Sequence, residues 1–144
     1  MIAVDTNILV YGHRRDSPFH AAARSCLTRL AESPAAWAIP WPCVHEFVAI
    51  VTHPRVYRPP STLVQAAAQV DAWLGSPSLV LLSEGPDHWE RLRALATAGA
   101  ALGVMVHDAR VAAICVSHGV RELWSADRDF SRFPSLAVRN PLVG

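Results

Sequence analysis

Lysine is missing from the sequence: all thirteen basic residues are arginine. Against twelve acids they leave a formal charge of +1, so whole-chain charge does not argue for a polyanionic partner. Arginine suits bidentate phosphate contacts and stacking on bases, but an Arg and Ala bias equally fits a GC-rich genome and carries little functional weight. Cysteine is scarce. Cys26, Cys43 and Cys115 are odd in number, widely spaced and form no C-x-x-C pair, so neither a structural zinc site nor a disulfide framework is signalled. Cys26 and Cys115 sit among apolar residues and read as small core hydrophobes. Although 51% of the residues are hydrophobic, no apolar run reaches the ~20 residues of a membrane span. The opening Met1-Ile-Ala-Val-Asp5 has no basic stretch and carries an acid among its apolar residues, unlike a secretory signal. The expectation is a soluble cytoplasmic protein. No H-E-x-x-H spacing organises the seven histidines. No repeat, low-complexity tract or linker divides the chain, and its 144 residues suit one domain over 1–144.

Short apolar runs alternate with helical patterns. Ile2 to Asp5 reads as a buried strand ending on an acid. Ser17-Pro18 reads as an N-cap followed by proline at the first helical position, and Phe19, Ala22, Ala23, Cys26, Leu27 and Leu30 then share one helical stripe. Ala36 to Ile39 is a second strand, and Pro42 opens a helix running to about Thr52, stopped by His53-Pro54. The proline-rich 53–60 segment is a loop. A helix after Ser61 is expected to bury Leu63, Ala66, Ala67, Val70 and Leu74. Leu79 to Leu82 is a third strand, and Asp87 with Glu90 resembles a capping box. His107 to His118 is a helix apolar on every side over Val111 to Val116, which implies burial. Leu123 to Ser125 is a fourth strand and Leu136 to Val138 a fifth. Strands separated by helices imply an α/β fold with a parallel sheet covered on both faces.

The acids can be placed one by one. Ligands of an open parallel sheet bind beyond the carboxyl ends of its strands. Asp5 ends the first strand, and Asp127 and Asp129 follow the fourth. Glu46 lies in the first turns of the helix after the second strand, and Asp108 in the first turn of the apolar helix. All five fall on one rim. Taken singly, Glu46 and Asp108 suit helix N-termini for dipole reasons alone. Asp5 differs, because a carboxylate closing a buried strand needs a cation or strong donors. Several carboxylates at one point repel each other, and oxygen ligands without nitrogen or sulfur suit Mg²⁺ or Mn²⁺. Such an ion can activate water against a phosphodiester. His107, beside Asp108, is a further candidate on this rim. Arg55, Arg58, Arg128 and Arg132 are candidates for contacts to substrate phosphates. The five tryptophans read as core or interface residues. Asp127-Arg-Asp129 superficially forms the D-x-D of aspartate-nucleophile phosphatases, but that motif follows the first strand, where this chain has Asp5-Thr6-Asn7.

These motifs resemble those of the PIN-domain ribonucleases, and specifically the VapC toxins of bacterial toxin–antitoxin pairs. Asp5-Thr6-Asn7 before Ile-Leu-Val-Tyr is similar to the family's first motif, and His45-Glu46-Phe47 to its second. His107-Asp108-Ala109-Arg110 is similar to the third, and Ser125-Ala-Asp127-Arg-Asp129-Phe130 to the fourth, with Ser125 where threonine is frequent. His53-Pro54-Arg55-Val56 resembles a loop of a mycobacterial-type subgroup. The resemblance runs along the whole chain. It implies an α/β/α sandwich around a mostly parallel sheet of four or five strands, Mg²⁺-dependent endoribonuclease activity, a homodimer and a cognate VapB-type antitoxin. It implies Asp5, Asp108 and Asp127 as metal ligands, Glu46 and Asp129 as further catalytic acids, and Thr6, Asn7 and Ser125 as hydrogen-bonding groups behind them. The alternative is a PIN-like module that binds RNA or protein without catalysis, whose sign would be loss of these acids.

Overall fold

The computed structural model describes residues 1–143. Its elements run β1 (Ile2–Val4), α1 (Thr6–His13), α2 (His20–Glu32), β2 (Trp37–Pro40), α3 (Trp41–Val51), α4 (Leu63–Leu74), β3 (Leu79–Leu82), α5 (His88–Ala98), α6 (Met105–Ser117), β4 (Glu122–Trp124), a 3₁₀ turn (Arg128–Arg132) and β5 (Val138–Arg139). The sheet has five strands in the order β3-β2-β1-β4-β5, and every pairing is parallel. Ala3 and Val4 of β1, Ala38 of β2 and Leu123 of β4 are fully buried, as strands covered on both faces must be. On the helical side, α1 packs on α2 and α3, α3 on α4, and α5 on α6. The result is the α/β/α sandwich expected from the alternating pattern.

The strand order places the site. From β1 the chain builds outward to β2 and β3, then crosses back to β4 on the other side of β1. That reversal leaves a crevice at the carboxyl ends of β1 and β4, where an open parallel sheet binds ligands. The Asp5 amide donates to the Trp124 carbonyl at 3.0 Å, so the first residues after the two strands lie side by side.

Several local expectations are corrected. Helix α1, Thr6–His13, had no counterpart among the expected elements; Thr6, Ile8, Leu9 and Val10 are all buried. Helix α2 begins at His20 with Phe19 as its N-cap, not at Ser17-Pro18. The Ser17 hydroxyl instead accepts from the Phe19 amide within the preceding turn. Of its stripe, Ala23, Cys26, Leu27 and Leu30 are buried while Phe19 and Ala22 are exposed. Helix α4 departs further. It is capped by Thr62 in a reciprocal box with Gln65, and it buries Ala66 and Trp73 but leaves Leu63, Ala67 and Leu74 exposed. Its inward face is therefore set by Trp73, whose ring meets Phe47 edge-on at 4.8 Å. Asp87 makes no cap hydrogen bond. Its carboxylate pairs with Arg91 one turn on, at 2.8 Å. Strands β4 and β5 are displaced by one or two residues from their expected bounds. Trp37, Trp73 and Trp124 are core residues, whereas Trp89 is exposed. No helix among the described residues is long and apolar enough to cross a membrane.

Candidate active site

A cleft of about 510 Å³ opens over the crevice, lined by Asp5, Glu46, Asp108 and Asp127 among others. Each acid arrives from a different part of the chain. Asp5 is the residue after β1 and the N-cap of α1. Glu46 sits midway along α3 and is exposed. Asp108 is in the first turn of α6. Asp127 precedes the 3₁₀ turn that carries Asp129. Asp108, Asp127 and Asp129 can each bring one oxygen within 4.8 Å of the others, the spacing of a shared cation.

Asp5 lies deeper, only 7% exposed, and its oxygens are already engaged. The Ser125 hydroxyl donates to Oδ2 at 2.7 Å. The Asn7 amide nitrogen donates to the same oxygen at 3.4 Å and to the Ser125 oxygen at 3.2 Å. The buried Cys43 thiol approaches Oδ1 at 3.6 Å. Asn7 also accepts from the Ala126 amide at 3.1 Å, and Ser125 from the Asp127 amide at 3.0 Å. The Asp127 carboxylate in turn accepts from the Asp129 amide at 2.8 Å. One chain of hydrogen bonds thus runs from the buried end of β1 to the outer acids, and it fixes the loop after β4. Thr6 is buried as the first residue of α1.

The electrostatics follow from this crowding. Burial pushes the Asp5 carboxyl up to about 6, against the hydrogen bonds from Ser125, the Thr6 backbone and Cys43. Asp108 is pushed up to about 7, first by burial and then by the negative charges of Asp127, Asp5, Asp129 and Glu46. Carboxylates held this way are unfavourable as bare anions. A hard divalent cation relieves the repulsion, and the donors here are all oxygens.

The sequence-derived arginines fall elsewhere. None of Arg55, Arg58, Arg128 and Arg132 lines the cleft. Arg55, Arg58 and Arg128 are exposed. Arg132 is used internally, since its Nη1 donates to the carbonyls of Gly99 at 3.1 Å and Ala100 at 3.5 Å. His107 does line the cleft, with His45 and Tyr57. Arg14 holds Tyr57 in place, its guanidinium 4.3 Å above the ring. Two residues were named in the sequence but not singled out there as site residues. Cys43 stands three positions before Glu46 on α3, a helical spacing that puts both on one side and could have flagged it. Arg110 also lines the cleft, and its place two residues after Asp108 was the available signal.

Comparison with known proteins agrees with this fold. Residues 2–136 match the family model described as PIN domain. The chain belongs to the PIN-domain family. Within it, the chain groups with the VapC ribonucleases. Ribonuclease VapC43 of Mycobacterium tuberculosis is 39% identical over 144 residues, covering 100% of this chain and 97% of the relative. Ribonuclease VapC31 of the same species is 34% identical over 143 residues, covering 99% of this chain and 100% of the relative. Among solved structures, VapBC2 from Rickettsia felis, bound to a promoter DNA fragment, superposes with a TM-score of 0.71 at 20% identity, covering 97% of this chain and 98% of the other. Mycobacterium tuberculosis VapC20, a sarcin–ricin loop cleaving toxin, gives 0.68 at 17% identity over 91% and 93% of the two chains. At such identities these two speak for the fold.

Proposed function

We propose that this chain is the toxin of a VapBC-type toxin–antitoxin pair and hydrolyses RNA phosphodiester bonds with the help of Mg²⁺ or Mn²⁺. The observation that carries the reading is the convergence of Asp108, Asp127 and Asp129, which bring carboxylate oxygens within 4.8 Å of one another, in a cleft shared with Asp5 and Glu46. The full-length likeness to VapC ribonucleases supports the substrate class.

The donor set fits a hard cation: the oxygens are carboxylate, and burial, with the neighbouring negative charges, raises the Asp108 carboxyl to about 7. Asp108, Asp127 and Asp129 would hold the ion, with Asp5 beneath them and Glu46 across the cleft. When bound, the ion supplies Lewis-acid activation of water and neutralises charge on the phosphodiester. The chain's own part is preorganisation. Ser125 and Asn7 fix the Asp5 carboxylate, and the Asp127 carboxylate fixes the turn that presents Asp129. Held in advance, these charges need little rearrangement as negative charge builds on the phosphate. Glu46, exposed in the cleft wall, is placed to orient a water or accept its proton. A cognate VapB-type antitoxin, a homodimer and a cytoplasmic setting belong to the same reading, and the VapBC neighbours support the first of these.

Expression of the wild type and of Asp5→Asn in a bacterial host tests the reading. The wild type should arrest growth and fragment RNA, and Asp5→Asn should do neither. Undiminished arrest and cleavage by Asp5→Asn would overturn it.

A further inference from the structure

An RNA strand brings one negative charge per nucleotide, and it must enter a cleft walled by Asp5, Glu46, Asp108 and Asp127. A metal at the carboxylates neutralises charge at its own position only. A second source of positive charge is needed along the path of the strand. Among the described residues, Arg110 is the one arginine lining the cleft.

Its geometry suits the task. Arg110 lies on α6, two residues after Asp108. Its Nε donates to Glu84 Oε1 at 2.7 Å, which fixes the plane of the guanidinium. That bond engages Nε and leaves the terminal nitrogens for an incoming group. The side chain is 39% exposed, so a phosphate can reach it without rearrangement of the fold. Glu84 comes from the segment between β3 and α5, and the same oxygen lies 3.7 Å from His88 Nε2. An ion pair this exposed adds little to stability. The planar fork of arginine matches two phosphate oxygens, which a lysine would meet only as a point charge.

We propose that Arg110 binds a backbone phosphate of the RNA substrate beside the carboxylate cluster, and that Glu84 is the positioning residue that holds its guanidinium ready. The inference rests on the ribonuclease reading, and its test separates the two. Cleavage of a labelled single-stranded oligoribonucleotide with Mn²⁺ is measured for the wild type, Arg110→Ala and Arg110→Lys. Binding of the same RNA is measured by fluorescence anisotropy across a salt series in the Asp108→Asn background.

Arg110→Ala should raise KM about tenfold, the loss expected for one charge-assisted contact, with a smaller change in kcat. Its log–log salt slope should fall by about 0.7, one phosphate's share for a single strand. Arg110→Lys should keep the slope and recover part of the affinity. Glu84→Gln should shift KM in the wild type and not in Arg110→Ala. Equal shifts in both backgrounds would overturn the positioning role. An unchanged KM and salt slope in Arg110→Ala, with a wild type that cleaves, would overturn the inference and leave the ribonuclease reading standing. A wild type that fails to cleave while its RNA binding depends on Arg110 would do the reverse.

Discussion

The Ser125 hydroxyl donates to Oδ2 of Asp5 at 2.7 Å across the β4–β1 junction. This bond favours the ionised form of a carboxyl that burial otherwise drives toward neutrality. Ser125→Ala removes it. The Asp5 carboxyl should then rise above about 6, and the acid limb of kcat/KM should move to higher pH. Ser125→Thr keeps a hydroxyl and should restore the wild-type profile. A pH–rate series for the three proteins checks this; identical acid limbs would contradict it.

Metal-free stability should carry the imprint of Asp108. Its carboxyl sits at about 7 in the folded chain against an ordinary 3.8. Between those values the folded state binds more protons than the unfolded one, so the stability from this group falls as pH rises from about 4 to about 7. His13 pulls the other way: burial lowers its pKa from 6.5, so its contribution is lost as pH falls. The difference between Asp108→Asn and wild type isolates the carboxyl. In EDTA the variant should melt higher than wild type at pH 8 and equally at pH 4. Saturating Mg²⁺ at pH 8 should reverse the order, because the wild type then gains binding energy the variant lacks. An offset independent of pH and metal would contradict the prediction.

Arg132 is an anchor. Its two bonds to the Gly99 and Ala100 carbonyls tie the 3₁₀ turn carrying Asp129 to the end of α5. Arg132→Ala should cost about 1 kcal/mol of stability, as expected when a part-buried and an exposed carbonyl lose their donor, with KM for RNA little changed. A raised KM at unchanged stability would instead make it a substrate contact. The same seam is close-packed from the other side. A Cβ on Gly99 would stand 2.9 Å from the Arg132 carbonyl oxygen, so Gly99→Ala should destabilise the chain by an amount that thermal melting can resolve.

Most of the frame was legible because it rests on local pattern. The β3 bounds were read directly from Leu79 to Leu82, and α6 from a run too apolar to be exposed. Helix α1 was not, since a short segment buried on most sides has no period to detect. Helix α4 misled because its apolar stripe is partly exposed and Trp73 decides its orientation. The acids were placed on one rim by position in the chain, but their grouping needed three dimensions. Asp129 joins Asp108 and Asp127 from a turn in which its amide donates to the Asp127 carboxylate. Asp5 turns its oxygens to Ser125, Asn7 and Cys43, the last more than 30 residues away along the chain from Asp5. The four arginines were chosen by nearness in the chain to the rim, and none of them lines the cleft.

The central claim is that the carboxylate cluster makes this chain a metal-dependent ribonuclease. Purified wild type and Asp108→Asn, each stripped with EDTA, are incubated with RNA before and after Mg²⁺ or Mn²⁺ is restored. Cleavage should be absent in EDTA, return with the metal in the wild type, and stay absent in Asp108→Asn. Cleavage that persists in EDTA, or that Asp108→Asn retains at the wild-type rate, would contradict the account.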